Sequence, residues 1–66
     1  MKNTIKIQRA IKDLTQEALA KKISVSRQTI NSIEKNRYVP STVLALKISE
    51  VFDKSVNEIF ELEDED

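Results

Sequence analysis

The sequence predicts an all-α domain of five short helices. Three observations carry that reading: the 66 residues contain no glycine, they contain one proline, and hydroxyl-bearing residues stand ahead of apolar segments with helical spacing. Strand-rich domains of this size need glycine at their tight turns.

The helices follow in order. Asn3 or Thr4 caps a first helix that runs to Lys12, and Thr15 caps a second over Gln16–Ile23, with Leu19, Ala20 and Ile23 on one side. Ser26 caps a third, Arg27–Lys35, in which Ile30 and Ile33 face inward while Arg27, Gln28, Asn31 and Ser32 face out. Pro40 and Ser41 open a fourth helix through Phe52, whose apolar stripe is Leu44, Ala45, Ile48, Val51 and Phe52. Ser55-Val56-Asn57-Glu58 is a capping box, in which hydroxyl and carboxylate satisfy each other's free backbone amides, and it starts a short fifth helix. Ser24, Asn36 and Asp53 each follow a helix where a left-handed residue is needed, and Asn and Asp tolerate that geometry better than most. One domain is expected over residues 1–62, with residues 63–66 as an acidic, frayed tail.

Composition narrows the function. With no cysteine and no histidine, disulfides and the usual zinc ligands are excluded, and no metal site or cofactor is expected. No glycine-rich loop can cradle a phosphate, and a chain this small offers no deep pocket, so an enzyme or a small-molecule site is not expected. No apolar run reaches membrane-span length, and the chain reads as cytoplasmic, without a membrane role. The net charge is zero but unevenly spread: residues 1–38 carry nine Lys/Arg and three Asp/Glu, and residues 39–66 carry two and eight. Such asymmetry suits one face meeting a polyanion, and it equally suits a solvated surface with an acidic end.

The stretch Thr15–Arg37 has the proportions of a helix-turn-helix. Ala20 is small where two helices cross, and Val25 is apolar inside the turn. The second helix of the unit exposes Arg27, Gln28, Thr29, Asn31 and Ser32. Arg can grip guanine O6/N7, Gln or Asn can grip adenine N6/N7, and a threonine methyl can meet thymine.

Those residues resemble a known family. Leu14-Thr15-Gln16-Glu17, Leu19-Ala20, Val25-Ser26-Arg27-Gln28-Thr29-Ile30, Ile33-Glu34-Lys35-Asn36-Arg37-Tyr38, Pro40-Ser41 and Ala45-Leu46-Lys47-Ile48 are similar to the Cro/C1, or xenobiotic-response-element, regulators. The likeness spans about Ile5 to Phe60 without a gap, and the short stand-alone form is similar to the cytolysin repressor. It implies a lambda-repressor-like fold with the third helix in the major groove of double-stranded DNA. Arg27, Gln28, Thr29 and Ser32 would then face bases, with Asn31 at the edge. Gln16, Ser26, Lys35, Arg37 and Tyr38 would hold phosphates, and Arg9 would pair with Glu34 as a structural ion pair. The sequence departs from the family where Ser24, Asn36 and Asp53 replace glycine, where Val39 replaces a frequent asparagine, and where Gln8 replaces leucine. Ile7 and Ile11 stand at positions that are commonly polar, so helix one is either rotated or shows an apolar face.

A chain this short often needs a second subunit. Val56, Ile59, Phe60 and Leu62 supply more apolar surface than a terminal helix requires and are the expected homodimer interface, with Val56 and Ile59 also packing onto the monomer core and Phe60 and Leu62 reaching the partner. Leu62, set between acids, also permits a short terminal strand pairing with Met1–Asn3. The expected function is a transcriptional repressor on a palindromic operator. The alternative is an antitoxin-like or co-regulator module that uses the same fold to bind protein.

Overall fold

A computed structural model describes all of residues 1–66. The order is β1 (Lys2–Asn3), α1 (Ile5–Lys12), α2 (Gln16–Lys22), α3 (Arg27–Glu34), α4 (Thr42–Phe52), α5 (Val56–Ile59) and β2 (Phe60–Glu61). The five helices stand where the sequence puts them. Local chemistry explains their starts: Thr15, Ser26, Ser41 and Ser55 each accept a hydrogen bond from the backbone amide three residues on. The box at Ser55 is closed by Glu58, whose Oε1 accepts from Ser55 N at 3.0 Å. Helix α1 differs, because its first amide, Ile5 N, is taken by Asn3 Oδ1 at 3.2 Å and Thr4 makes no cap.

Helix ends share one device. Asp13, Ser24, Asn36 and Asp53 take φ of 55°, 60°, 59° and 52°. In each case the next residue donates its amide to the carbonyl five positions back: Leu14 to Arg9, Val25 to Ala20, Arg37 to Ser32 and Lys54 to Ser49. This is the Schellman closure, and glycine is its cheapest occupant. Three of the four positions were expected. Asp13 was not, because the acid sits only two residues before the Thr15 cap and reads as part of that turn.

The core gathers Ile5, Leu19, Ala20, Ile23, Ile30, Ile33, Leu44, Ile48, Phe52, Ile59 and Phe60, and no polar side chain is buried with them. Every helix contributes, so no helix stands without the others. The two ends of the chain meet in an antiparallel pair, Lys2 opposite Glu61 and Asn3 opposite Phe60. Thr4 N extends it by donating to Ile59 O at 2.8 Å. The terminal pairing thus forms one step earlier than Leu62, which lies outside the strand and is 76% exposed. Beyond it, Glu63 and Asp66 reach the Met1 amine at 2.9 and 3.0 Å. The two carboxylates, Glu63 first, raise the pKa of that amine.

Helix α1 is not rotated. Ile5 is sealed in the core, while Ile7 and Ile11 are 60% and 69% exposed. Its apolar stripe therefore lies on the surface. No helix is long and apolar enough to cross a membrane.

Candidate nucleic-acid interface

Helices α2 and α3 cross through Leu19, Ala20, Ile30 and Ile33, all buried. The small Ala20 lets the axes approach, and the amide of the half-buried Val25 closes the turn on Ala20 O at 3.0 Å. With its inner face fixed in this way, α3 turns the rest of its side chains outward. Arg27 and Gln28 are exposed, and Thr29, Asn31 and Ser32 are half-buried.

Residues that the sequence assigned to different roles meet in one shallow depression. A concavity of about 330 Å³ is lined by Ser26, Gln28, Thr29, Ser32, Arg37 and Tyr38. Its lining contains a cation and no acid. Arg37 and Tyr38 come from the loop after α3, and the left-handed turn at Asn36 folds that loop back beside the helix. Within the depression the Ser26 and Thr29 hydroxyls lie 2.9 Å apart, while Thr29 N donates to Ser26 Oγ. Thr29 thus has its hydroxyl paired with Ser26, while its methyl is left for a ligand. Lys35 is exposed just past the end of α3, outside this lining.

Behind the surface lies a polar brace. Arg9 donates from Nε to Glu34 Oε2 at 2.7 Å, from Nη2 to Glu34 Oε1 at 3.1 Å and from Nη1 to Leu14 O at 3.0 Å. The pair is largely enclosed, with side chains 14% and 8% exposed. Gln16 joins it, donating from Nε2 to Glu34 Oε1 at 3.1 Å and to Asn31 Oδ1 at 3.3 Å. This placement changes the reading of Gln16. Both amide protons point into the protein, so the side chain has no donor left for a phosphate unless the brace opens. Nothing in the spacing of Gln16, Asn31 and Glu34 along the chain signals this contact.

The expected dimer residues separate. Ile59 is 1% exposed and packs in the protomer core, so it has no surface for a partner. Val56 and Phe60 reach an apolar groove of about 240 Å³, where they meet Val39, Pro40, Ala45 and Leu46. Leu62 is not part of it. Val39 and Leu46 were missed as a pair because they come together only when the loop after α3 packs beside α4.

Asn3 was also missed as a tie. Its Nδ2 donates to Ile33 O at 2.9 Å and to Asn36 Oδ1 at 3.2 Å, binding the first strand to the end of α3.

Known proteins give the same picture. A helix-turn-helix family model matches residues 5–59. An uncharacterized HTH-type transcriptional regulator of Methanocaldococcus jannaschii is 53% identical over 66 residues, covering all of both chains. One from Bacillus subtilis is 46% identical over 65 residues, 98% of each chain. One from Archaeoglobus fulgidus is 44% identical over 66 residues, all of this chain and 93% of its own. The braced α2–turn–α3 unit with its polar outer face, and a family match across nearly the whole fold, identify the chain as a member of the Cro/C1-type helix-turn-helix family, a DNA-binding transcriptional regulator.

Proposed function

We propose that the protein is a cytoplasmic repressor that binds a two-fold symmetric operator as a homodimer, with α3 in the major groove. The observation that carries this is the shared depression: recognition-helix side chains Gln28, Thr29 and Ser32 line one surface with the loop residues Arg37 and Tyr38. Base-reading and backbone-holding groups have to reach DNA together, and here they adjoin.

Arg27 and Gln28 are the most exposed polar groups of α3 and read base edges, Arg toward guanine and Gln toward adenine. Thr29 offers its methyl and Ser32 its hydroxyl. Ser26, Lys35, Arg37 and Tyr38 hold the phosphates. The side chain of Gln16 leaves that group, since its donors are committed to Glu34 and Asn31, and only its backbone amide at the head of α2 stays available to a phosphate.

The dimer forms across the groove of Val39, Leu46, Val56 and Phe60, with the exposed Val43 beside it on α4. The protomer is 31 Å in its longest dimension. Two such bodies side by side can set their recognition helices one DNA turn, about 34 Å, apart.

The test is duplex affinity as a function of salt. Lys35 and Arg37 from two protomers neutralise four phosphates, so log K against log salt should fall with a slope of roughly −4, at about 0.9 per phosphate. Failure to bind any duplex would move the fold to the protein-interaction module.

A further inference from the structure

Glu34 has a consequence for what the DNA-facing surface can recognise. Its carboxylate has no proton to give, and its Oε1 stands 3.1 Å from the Gln16 amide. Turned the other way, Gln16 would set its carbonyl oxygen against that carboxylate, acceptor against acceptor. Gln16 is thus held with Nε2 toward Glu34. The second proton of Nε2 then meets Asn31 at 3.3 Å, and the atom opposite it has to be an acceptor, Oδ1. A reversed Asn31 would confront donor with donor.

The remaining atom of the Asn31 amide is its nitrogen. Asn31 Nδ2 donates to nothing in the protein, yet no buried side-chain nitrogen or oxygen lacks a partner, so Nδ2 opens to solvent. Asn31 lies three and four positions after Gln28 and Arg27, on the same side of α3 as both. We propose that Glu34, through Gln16, fixes the Asn31 amide so that it meets DNA with Nδ2, as a hydrogen-bond donor. This rests on the reading that α3 enters the major groove.

The consequence concerns specificity. A free asparagine amide grips adenine with both its atoms, accepting from N6 and donating to N7. Held by Gln16, Asn31 has one lone pair of Oδ1 already engaged, so the N6 amino group of adenine or the N4 amino group of cytosine would have to share that oxygen with Gln16, while Nδ2 is unspent. It matches an acceptor on the DNA: guanine O6, a purine N7, thymine O4 or a phosphate oxygen. Gln16 and Glu34 are positioning residues in this scheme, acting through Asn31 without touching DNA.

Two measurements test it. In the DNA-free protein, the side-chain amide resonances of Gln16 should shift in Glu34→Gln, and those of Asn31 should shift in Gln16→Met. If the Asn31 amide is unmoved in Gln16→Met, the relay is absent and the proposal falls, whether or not DNA binds. The second measurement compares wild type with Asn31→Ala on the operator that wild type selects. The substitution should weaken binding roughly three- to tenfold, the range of one hydrogen bond. That loss should vanish on one duplex lacking a single acceptor. A 7-deazapurine, 2-aminopurine for guanine or a pyrimidinone for thymine would place the contact on a base, and a methylphosphonate would place it on the backbone. The proposal is overturned if the loss vanishes when an adenine or cytosine amino group is removed, or if Asn31→Ala binds like wild type. Absence of any selected duplex would instead refute the DNA reading, with the resonance shifts still deciding the relay.

Discussion

Arg9 Nε lies 2.7 Å from Glu34 Oε2, and this contact fastens the first helix to the last turn of α3. The same guanidinium reaches Leu14 O at 3.0 Å, so it also secures the link into α2. One arginine thereby holds three helices in register.

Removing Arg9 should cost stability before it costs recognition. An enclosed carboxylate that loses its partner is worth about 3 kcal/mol of destabilisation. For a domain of this size that is more than about 10 °C in melting temperature. Glu34 in Arg9→Ala still accepts from Gln16, so the ratio of operator to scrambled-duplex affinity should hold below the melt. Thermal denaturation and binding at low temperature check the two halves. An unchanged melt with operator affinity alone reduced would place Arg9 on the DNA instead.

Ser24 offers a gain. At φ 60° its Cβ is in a poor region, and Val25 N closes the turn whatever the side chain. Ser24→Gly should stabilise by roughly 0.5–1 kcal/mol in urea denaturation. Asn36→Gly should gain less despite the similar φ of 59°, since asparagine already tolerates this region better than serine and the change deletes the acceptor of Asn3 Nδ2. Equal effects would contradict both causes.

The capping box sets a pH response. Hydrogen bonds from the Ser55 backbone amide and then its side chain hold the pKa of Glu58 below the ordinary glutamate range. A depressed carboxyl contributes stability above its unfolded pKa, and that contribution is lost as pH falls through the folded value. The loss should therefore appear on the acid side only. Glu58→Gln should flatten part of the acid limb of the stability curve and leave the neutral-to-alkaline limb parallel to wild type. A carboxyl titration by NMR at the ordinary glutamate position would contradict it.

The legibility of this chain follows the range of its interactions. Caps at Thr15, Ser26 and Ser55 act over three residues, so the sequence displays them whole. The turns at Ser24, Asn36 and Asp53 are visible for the same reason. Asn3 is different: its partners Ile33 and Asn36 are some thirty positions away, and nothing near Asn3 announces them. Gln16 shows the same limit from the other side. The sequence places it at the head of α2, but its proton inventory depends on Asn31 and Glu34 of another helix. Phe60 was expected at a partner surface because the terminal cluster is richer in apolar groups than a short helix needs. The pairing of β1 with β2 instead buries most of it and leaves only an edge at the groove.

The groove at Val39 and Leu46 should govern assembly. In wild type the melting temperature should rise with protein concentration, as it does when only the folded state associates. Leu46→Lys places a charge in the groove and should abolish that dependence. A wild-type melt independent of concentration, with monomer mass in solution, would refute the dimer.

Selection of duplexes from a random pool, run with wild type and with Gln28→Ala, tests the central claim most directly. Wild type should enrich a two-fold related sequence with half-sites one helical turn apart. Gln28→Ala should lose roughly 1–3 kcal/mol and relax the preference at one position in each half-site. No enriched sequence with wild type, or an unchanged consensus with Gln28→Ala, would contradict the assignment of α3 as the reading helix.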